Sequence, residues 1–409
     1  MTLEGFCAAS RDDAGALDER DPLAAFRERF ILDPHATYLD GNSLGCLPRA
    51  TPSRLEELLR EWGRRGVRGW EEGWLEEPLE VGGRIAAAAL GAGPGQTVVG
   101  DSTTVCLYKL AWAALESRPG RREIVTDLGN FPTDRYVLEG IAAARGIEIK
   151  WLSFDPTSGP TAAAVAPALG PQTALVSFSH VSYRSAHIAE LAEINALARE
   201  AGAISLWDLS HSAGSVPLAL DADGVELAVG CTYKYLHGGP GAPAYMYVSS
   251  DLQERLRQPI WGWLGRRDPF EMEHGHVPAA GLGSFLSGTP PVLALAAVDE
   301  GVRVVAAAGI GPIRAKAIAL TELAIALADE RLAAWGVTVA SPRDPERRGA
   351  HVALAHPRAR ELRAALIERG VIVDFRRPDV IRFGLAPLTT RFVDVWDGID
   401  ALRWLLGAG

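Results

Sequence analysis

Two stretches decide how this chain folds: ISLWDLSH at residues 204–211 and LAVGCTYKYLHGGPG at 227–241. Each opens as a short apolar run and ends in polar residues. Asp208 and His211 follow the first run, and Tyr233 and Lys234 follow the second. Similar runs lie near 97–100, 122–127, 147–154, 173–180 and 244–250, separated by Ala-, Leu- and Arg-rich helical stretches. Alternating strands and helices imply βαβ units and a mostly parallel seven-stranded sheet flanked by helices. Ligands in such sheets sit beyond the carboxyl ends of the strands, so the residues just after each run become the candidate site.

Outward from this core, residues 1–60 read as an N-terminal segment and 61–310 as a large α/β domain. A loop-rich zone after about 260 leads to a long helical segment near 290–335. Residues 311–409 read as a smaller C-terminal α+β domain ending in a helix at 391–406. The 409 residues are 48% hydrophobic and 22% charged, which excludes fibrous and largely disordered classes. A net charge of −10, spread along the chain, gives no footprint for nucleic acid. Cys7, Cys46, Cys106 and Cys231 have neither metal-ligand spacing nor a disulfide framework. No apolar stretch is long enough to span a bilayer, and the N-terminus has no signal-peptide pattern. The expected compartment is a reducing cytoplasm, with no membrane partner.

Only four of the 41 basic residues are lysines: Lys109, Lys150, Lys234 and Lys316. Lys234 is flanked by Tyr233 and Tyr235 and followed by Gly238, Gly239 and Gly241, which let backbone approach a ligand closely. An ordinary surface lysine is the usual alternative, but a lysine desolvated by such neighbours can form a Schiff base with a carbonyl. Asp208 could be a simple helix cap. Paired with Lys234, it meets the two requirements of pyridoxal phosphate chemistry, an acid for the pyridinium and an amine for the aldehyde. Ser102, Thr103 and Thr104 precede an apolar helical run and offer donors for a phosphate at a helix start. Asn130 to Asp134 form another post-strand loop, with Phe131 as an aromatic face.

With these residues in place, the chain resembles bacterial kynureninases. The likeness rests on YLDGNSLG at 38–45, NFPTDRY at 130–136, WDLSHSAG at 207–214, CTYKYLHGGPG at 231–241, GWLG at 262–265, GTPP at 288–291 and PDVIRFGLAPL at 378–388. It runs over about residues 20–405 with the motifs in order. The resemblance implies fold type I of the pyridoxal-phosphate enzymes, within the aminotransferase class V group, and a homodimer with shared sites. It implies that Lys234 carries the cofactor, with Tyr233 beside it, Asp208 as the pyridinium partner and His211 nearby. Phe131 would stack on the ring, Asp134 would touch it, and Ser179 would be a further contact. Thr103, Thr104, Trp263 and Thr289 match phosphate-side positions, Trp263 and Thr289 partly across the subunit boundary. Arg382 matches the residue that holds the substrate α-carboxylate; Ser43 and Arg266 join it as substrate-side candidates. No metal is implied. The implied reaction is hydrolysis of an L-kynurenine-type substrate to an anthranilate and L-alanine.

Several positions depart from the family's pattern. Ser182, Ala186 and Glu190 stand where Asn, Gly and Asp are usual, Arg266 replaces His, His237 replaces Asn, and Thr389 replaces Tyr. These changes are open to two readings, drift without consequence or a pocket shifted toward a ring-modified kynurenine. Two competing functions are a cysteine desulfurase-like lyase, which needs a late reactive cysteine although none follows Cys231, and a cofactor-binding protein without activity.

Overall fold

The computed structural model describes residues 10–407; Cys7 and the first residues of the N-terminal segment lie outside them. All seven expected runs are strands: β1 (Thr97–Val99), β2 (Glu123–Asp127), β3 (Glu148–Leu152), β4 (Thr173–Ser179), β5 (Ile204–Asp208), β6 (Leu227–Gly230) and β7 (Tyr245–Val248). They form one sheet in the order β1-β7-β6-β5-β4-β2-β3. β6, β5, β4, β2 and β3 pair in parallel, while β7 is antiparallel to both its neighbours.

Alternation along each strand explains why both faces are covered. Val99, Val125, Val176, Trp207, Ala228 and Tyr245 enter one apolar cluster, with Ile194 and Ala198 of α3 (Leu191–Glu200) and Leu295, Val298 and Val302 of α4 (Val292–Ala308). Their neighbours Val98, Ile124, Leu175, Leu206, Val229 and Met246 enter another, with Leu107, Leu110 and Ala114 of α1 (Thr103–Glu116) and Leu138 and Ile141 of α2 (Pro132–Arg145). Successive side chains of a strand point to opposite faces, and a parallel sheet with helices on both faces reads as an unbroken apolar run. The edge strand β3 is only half-buried, which fits its mixed sequence EIKWL. Ser102 caps α1, its hydroxyl accepting from the Val105 N–H, and α2 opens on Pro132 and stops at left-handed Gly146.

The helical stretch expected near 290–335 is two helices rather than one. α4 ends at Gly309, whose φ of 77° is left-handed, and α5 (Ile310–Arg331) begins at once with Pro312 in its first turn. Beyond it, β8 (Thr338–Val339), β9 (His351–Ala355), β10 (Asp374–Arg376) and β11 (Val380–Gly384) make an antiparallel sheet in the order β8-β9-β11-β10. Val352, Leu354, Ile381 and Phe383 pack on Leu320, Leu323 and Leu327 of α5 and on Val395, Ile399 and Leu402 of α6 (Phe392–Gly407). The N-terminal segment is tied to this part: Thr37–Tyr38 pairs in parallel with Val371–Ile372, and Asp40 bridges to Gly384. Among the described residues no helix is long and apolar enough to cross a membrane.

Candidate active site

Parallel pairing sets Ser179 directly beside Asp208, and Asp208 beside Val229, so three strands end at one place. Lys234 follows five residues after Val229. A cavity of about 510 Å³ opens at these strand ends, within the usual range for a bound small molecule. Its wall includes Thr103, Thr104, Phe131, Asp134, Ser179, Asp208, His211, Tyr233, Lys234 and Thr289. Chain segments far apart in sequence therefore converge as the strand order requires.

The lysine is held by its surroundings. Its Nζ donates to His211 Nε2 at 3.0 Å and lies 5.9 Å from the ring centre of Phe131 and 6.0 Å from that of Tyr233. Burial, and then the charge on Lys234, push His211 well below the ordinary imidazole range, so its ring is neutral. Tyr233 is pushed up by burial and stays a phenol. The turn at 41–45 presses against the same loop: the Gly45 N–H donates to the Tyr233 carbonyl at 2.8 Å, and a Cβ on Gly45 would lie 2.2 Å from the Lys234 carbonyl oxygen. Only glycine fits there.

Two buried carboxyls share the cavity. Asp208 accepts from the Ser210 N–H at 2.8 Å. Burial, and then the Asp208 charge, raise Asp134 well above the usual carboxylate range, although Lys234 opposes this. Burial and that neighbouring carboxylate therefore favour the neutral form of Asp134. Nδ1 of His211 is buried without a hydrogen-bond partner in the chain, and the buried carboxyl of Asp134 has only Asp208 beside it to bond to. Buried polar atoms are nearly always satisfied, so these point to a polar ligand. With the amine of Lys234, the carboxyl of Asp208, an aromatic face and the start of α1, this donor set fits a pyridine aldehyde bearing a phosphate.

The remaining candidates are placed differently. Arg382 and Ser43 meet, with Nη2 donating to Oγ at 3.1 Å, but the guanidinium is fully buried and also binds Asp374 and the Tyr183 carbonyl. Neither residue is on the cavity wall. Trp263 is 38% exposed and packs edge-on against Phe270, away from the cavity of its own chain. Arg266 is also off the wall, because its guanidinium donates to the carbonyls of Asp268 and Gly275 and to Glu273 at 3.0 Å. Sequence reasoning missed Tyr183, which meets Phe131 edge-to-face at 5.3 Å, and His351, a buried ring 5.6 Å from His211. Tyr183 stands just after β4 and could have been found by the post-strand rule. His351 comes from the small sheet, and nothing local in its sequence marks it.

The departures from the family pattern make contacts within the chain. His237 has a left-handed φ of 56°, a conformation that Asn and His both tolerate, and its ring packs 4.6 Å from Phe30. Ala186 is likewise left-handed, at φ 66°, where glycine would be unstrained. Glu190 accepts from the Ala162 N–H at 2.8 Å and pairs with Arg347 at 2.9 Å. The Ser182 hydroxyl accepts from the Arg184 N–H, and the Thr389 N–H donates to the Ala386 carbonyl at 3.1 Å.

Asp127, at the end of β2, offers a test of this buried charge. Burial pushes its carboxyl up to about 6, and Oδ1 has no partner. A carboxyl raised by folding contributes stability that is complete below its unfolded pKa and is lost as pH rises through about 6. Asp127→Asn should therefore raise stability at pH 7 by about 1–3 kcal/mol, with the gain vanishing toward about pH 4. Urea unfolding at several pH values checks this; a gain independent of pH would refute the assignment.

Comparison with known proteins agrees with the geometry. The family described as Kynureninase C-terminal domain matches residues 313–402. A kynureninase from Burkholderia pseudomallei is 41% identical over 405 residues, covering 97% of this chain and 95% of that protein. One from Pseudomonas fluorescens is 40% identical with the same coverage. Among solved structures, the apo cysteine desulfurase of Thermococcus onnurineus superimposes with a TM-score of 0.83 at 18% identity, covering 94% of this chain and 98% of the other. An Escherichia coli cysteine desulfurase gives 0.81 at 17% identity, with coverage of 94% and 98%. At such identity these two likenesses speak for the fold alone. The near full-length relatives at 40–41% identity decide the rest: the chain belongs to the kynureninase family.

Proposed function

We propose that this enzyme hydrolyses an L-kynurenine-type amino acid, kynurenine or 3-hydroxykynurenine, to the corresponding anthranilate and L-alanine, with pyridoxal 5′-phosphate as cofactor. The observation that carries the reading is the Lys234–His211 contact in a cavity whose wall also holds the carboxyls of Asp208 and Asp134. When bound, the cofactor supplies the electron sink for bonds made and broken at the amino acid. The chain does the positioning. Lys234 would hold the aldehyde of the bound cofactor, and its amine is placed to move the proton at the substrate Cα. Neutral His211 accepts from Nζ and so aims it. Asp208 would hold a proton at the ring nitrogen. Thr103, Thr104, Thr289 and the first N–H groups of α1 would hold the phosphate, with Phe131 against the ring and Ser179 and Asp134 as polar contacts. Tyr233, kept a phenol, can pass a proton to the substrate Cβ, the carbon that stays behind as the methyl of alanine when the anthranilate departs.

The substrate α-carboxylate is assigned to Arg382 with Ser43, a pair that Asp374 already orients. A guanidinium suits a planar anion, and to take the substrate carboxylate Arg382 would exchange its present bond to Asp374 for it. A homodimer with shared sites accounts for the exposed Trp263 standing off its own cavity. Arg266 is not needed by this reading, and its engagement within its own loop gives no support to a shifted substrate. The helix break at Gly309 supports a boundary between large and small domains near residue 311. A cytoplasmic enzyme fits the free cysteines Cys46, Cys106 and Cys231.

The test is direct. Purified protein should be yellow with pyridoxal 5′-phosphate and should release one alanine for each fluorescent anthranilate formed. Comparing kcat/KM for kynurenine, 3-hydroxykynurenine and ring-modified analogues then fixes the aryl group. A colourless protein that stays so with added cofactor, or one that releases no alanine, would end the proposal.

A further inference from the structure

Lys109 is one of the chain's four lysines, and the reading above leaves it without a role. Its side chain is fully buried, with Nζ donating to Asp101 Oδ2 at 2.6 Å and to the Phe285 carbonyl at 2.9 Å. It belongs to α1, whose side chains lean toward the N-terminus, and this lean carries the ammonium back to the residue before the Ser102 cap. A cation at that end opposes the helix dipole, and a buried ammonium is costly unless paired. Helix stability therefore does not explain Lys109.

Its two partners do. Asp101 is a non-glycine residue in the left-handed region, at φ 54°, and its carbonyl accepts from the Ala244 N–H at 2.9 Å. It lines the cavity together with Ser102, Thr103 and Thr104. Phe285 leads directly into Leu286–Pro291, which line the same cavity and include Thr289. One buried ammonium thus joins two separate stretches of wall. It also faces the only carboxylate that adjoins the proposed phosphate-binding residues in sequence.

We propose that Lys109 is a positioning residue for the phosphate end of the cavity, acting from behind the wall without touching the ligand. It neutralises Asp101, whose carboxylate otherwise repels a phosphate dianion, and it ties the start of α1 to the 285–291 segment. The inference rests on pyridoxal 5′-phosphate being the cofactor.

The experiment is a binding titration of apo-enzyme with two vitamers, pyridoxal 5′-phosphate and phosphate-free pyridoxal. Lys109→Met should weaken the phosphorylated form by about 10- to 100-fold, the loss expected for a charge-assisted hydrogen bond, and leave pyridoxal unchanged. Asp101→Asn, whose amide suits a left-handed backbone, should bind pyridoxal 5′-phosphate several-fold tighter, again without effect on pyridoxal. In the Asp101→Asn background the Lys109→Met penalty should shrink. A merely structural lysine would weaken both vitamers alike, and that result overturns the inference. So does a Lys109→Met variant that binds like wild type. Should Lys109→Met fail to fold, Asp101→Asn still decides, because unchanged or weaker binding of the phosphorylated form overturns the electrostatic claim. Wild-type enzyme that takes up no pyridoxal 5′-phosphate overturns the cofactor reading and this inference together.

Discussion

Lys234→Ala should lower kcat by at least about 10²–10⁴-fold, the range supplied by a positioned acid–base group, and should leave the fold and cofactor uptake intact. The amine is the only lysine on the cavity wall, so no neighbour can take over its proton transfer. His211 cannot substitute, because burial keeps its imidazole neutral and weakly basic. The variant should also lose borohydride trapping of the cofactor on the protein, while wild type retains it. Added small primary amines should restore part of the rate, since they can reach Cα through the cavity that the missing side chain leaves. Turnover within tenfold of wild type would remove the basis of the proposed chemistry.

How much of this could be read beforehand depends on the range of the forces involved. The strands of the large sheet are buried on both faces, so each leaves an apolar run such as TALVSFS, and the polar residue closing it marks the sheet's carboxyl edge. Asp208 and Lys234 were legible for that reason. The break at Gly309 was passed over although Gly309, Gly311 and Pro312 mark it, because the apolar helical pattern continues on both sides; the left-handed φ of Gly309 ends the helix. His351 was invisible for another reason. It reaches His211 through the packing of the small sheet against the large one, and no local pattern encodes a contact over that distance in sequence, whereas Asp374 is the cross-strand partner of Arg382 only eight residues away. The departures Ala186 and His237 were seen as letters that differ, but their meaning is conformational. Both occupy left-handed positions where the family has residues that accept them.

Asp208→Asn should cost about 10²–10³-fold in kcat, comparable to loss of one preorganised electrostatic partner. The substitution keeps shape, and the amide oxygen can still accept from the Ser210 N–H, so the loop after β5 should hold. What disappears is the negative charge that would keep a proton on the ring nitrogen, and with it the electron-withdrawing power of the cofactor. The control is Asp134→Asn. Because Asp134 is held neutral by burial and by the Asp208 charge, a neutral isostere changes little, and kcat should stay within about tenfold. The two carboxyls look alike in sequence, and only the surroundings of Asp134 mark it out as the one whose neutral form burial favours. Equal losses in the two variants would show that both carboxyls share one charge, and the assignment to Asp208 alone would fail. A larger loss at Asp134 would reverse the assignment and place the working carboxylate on α2.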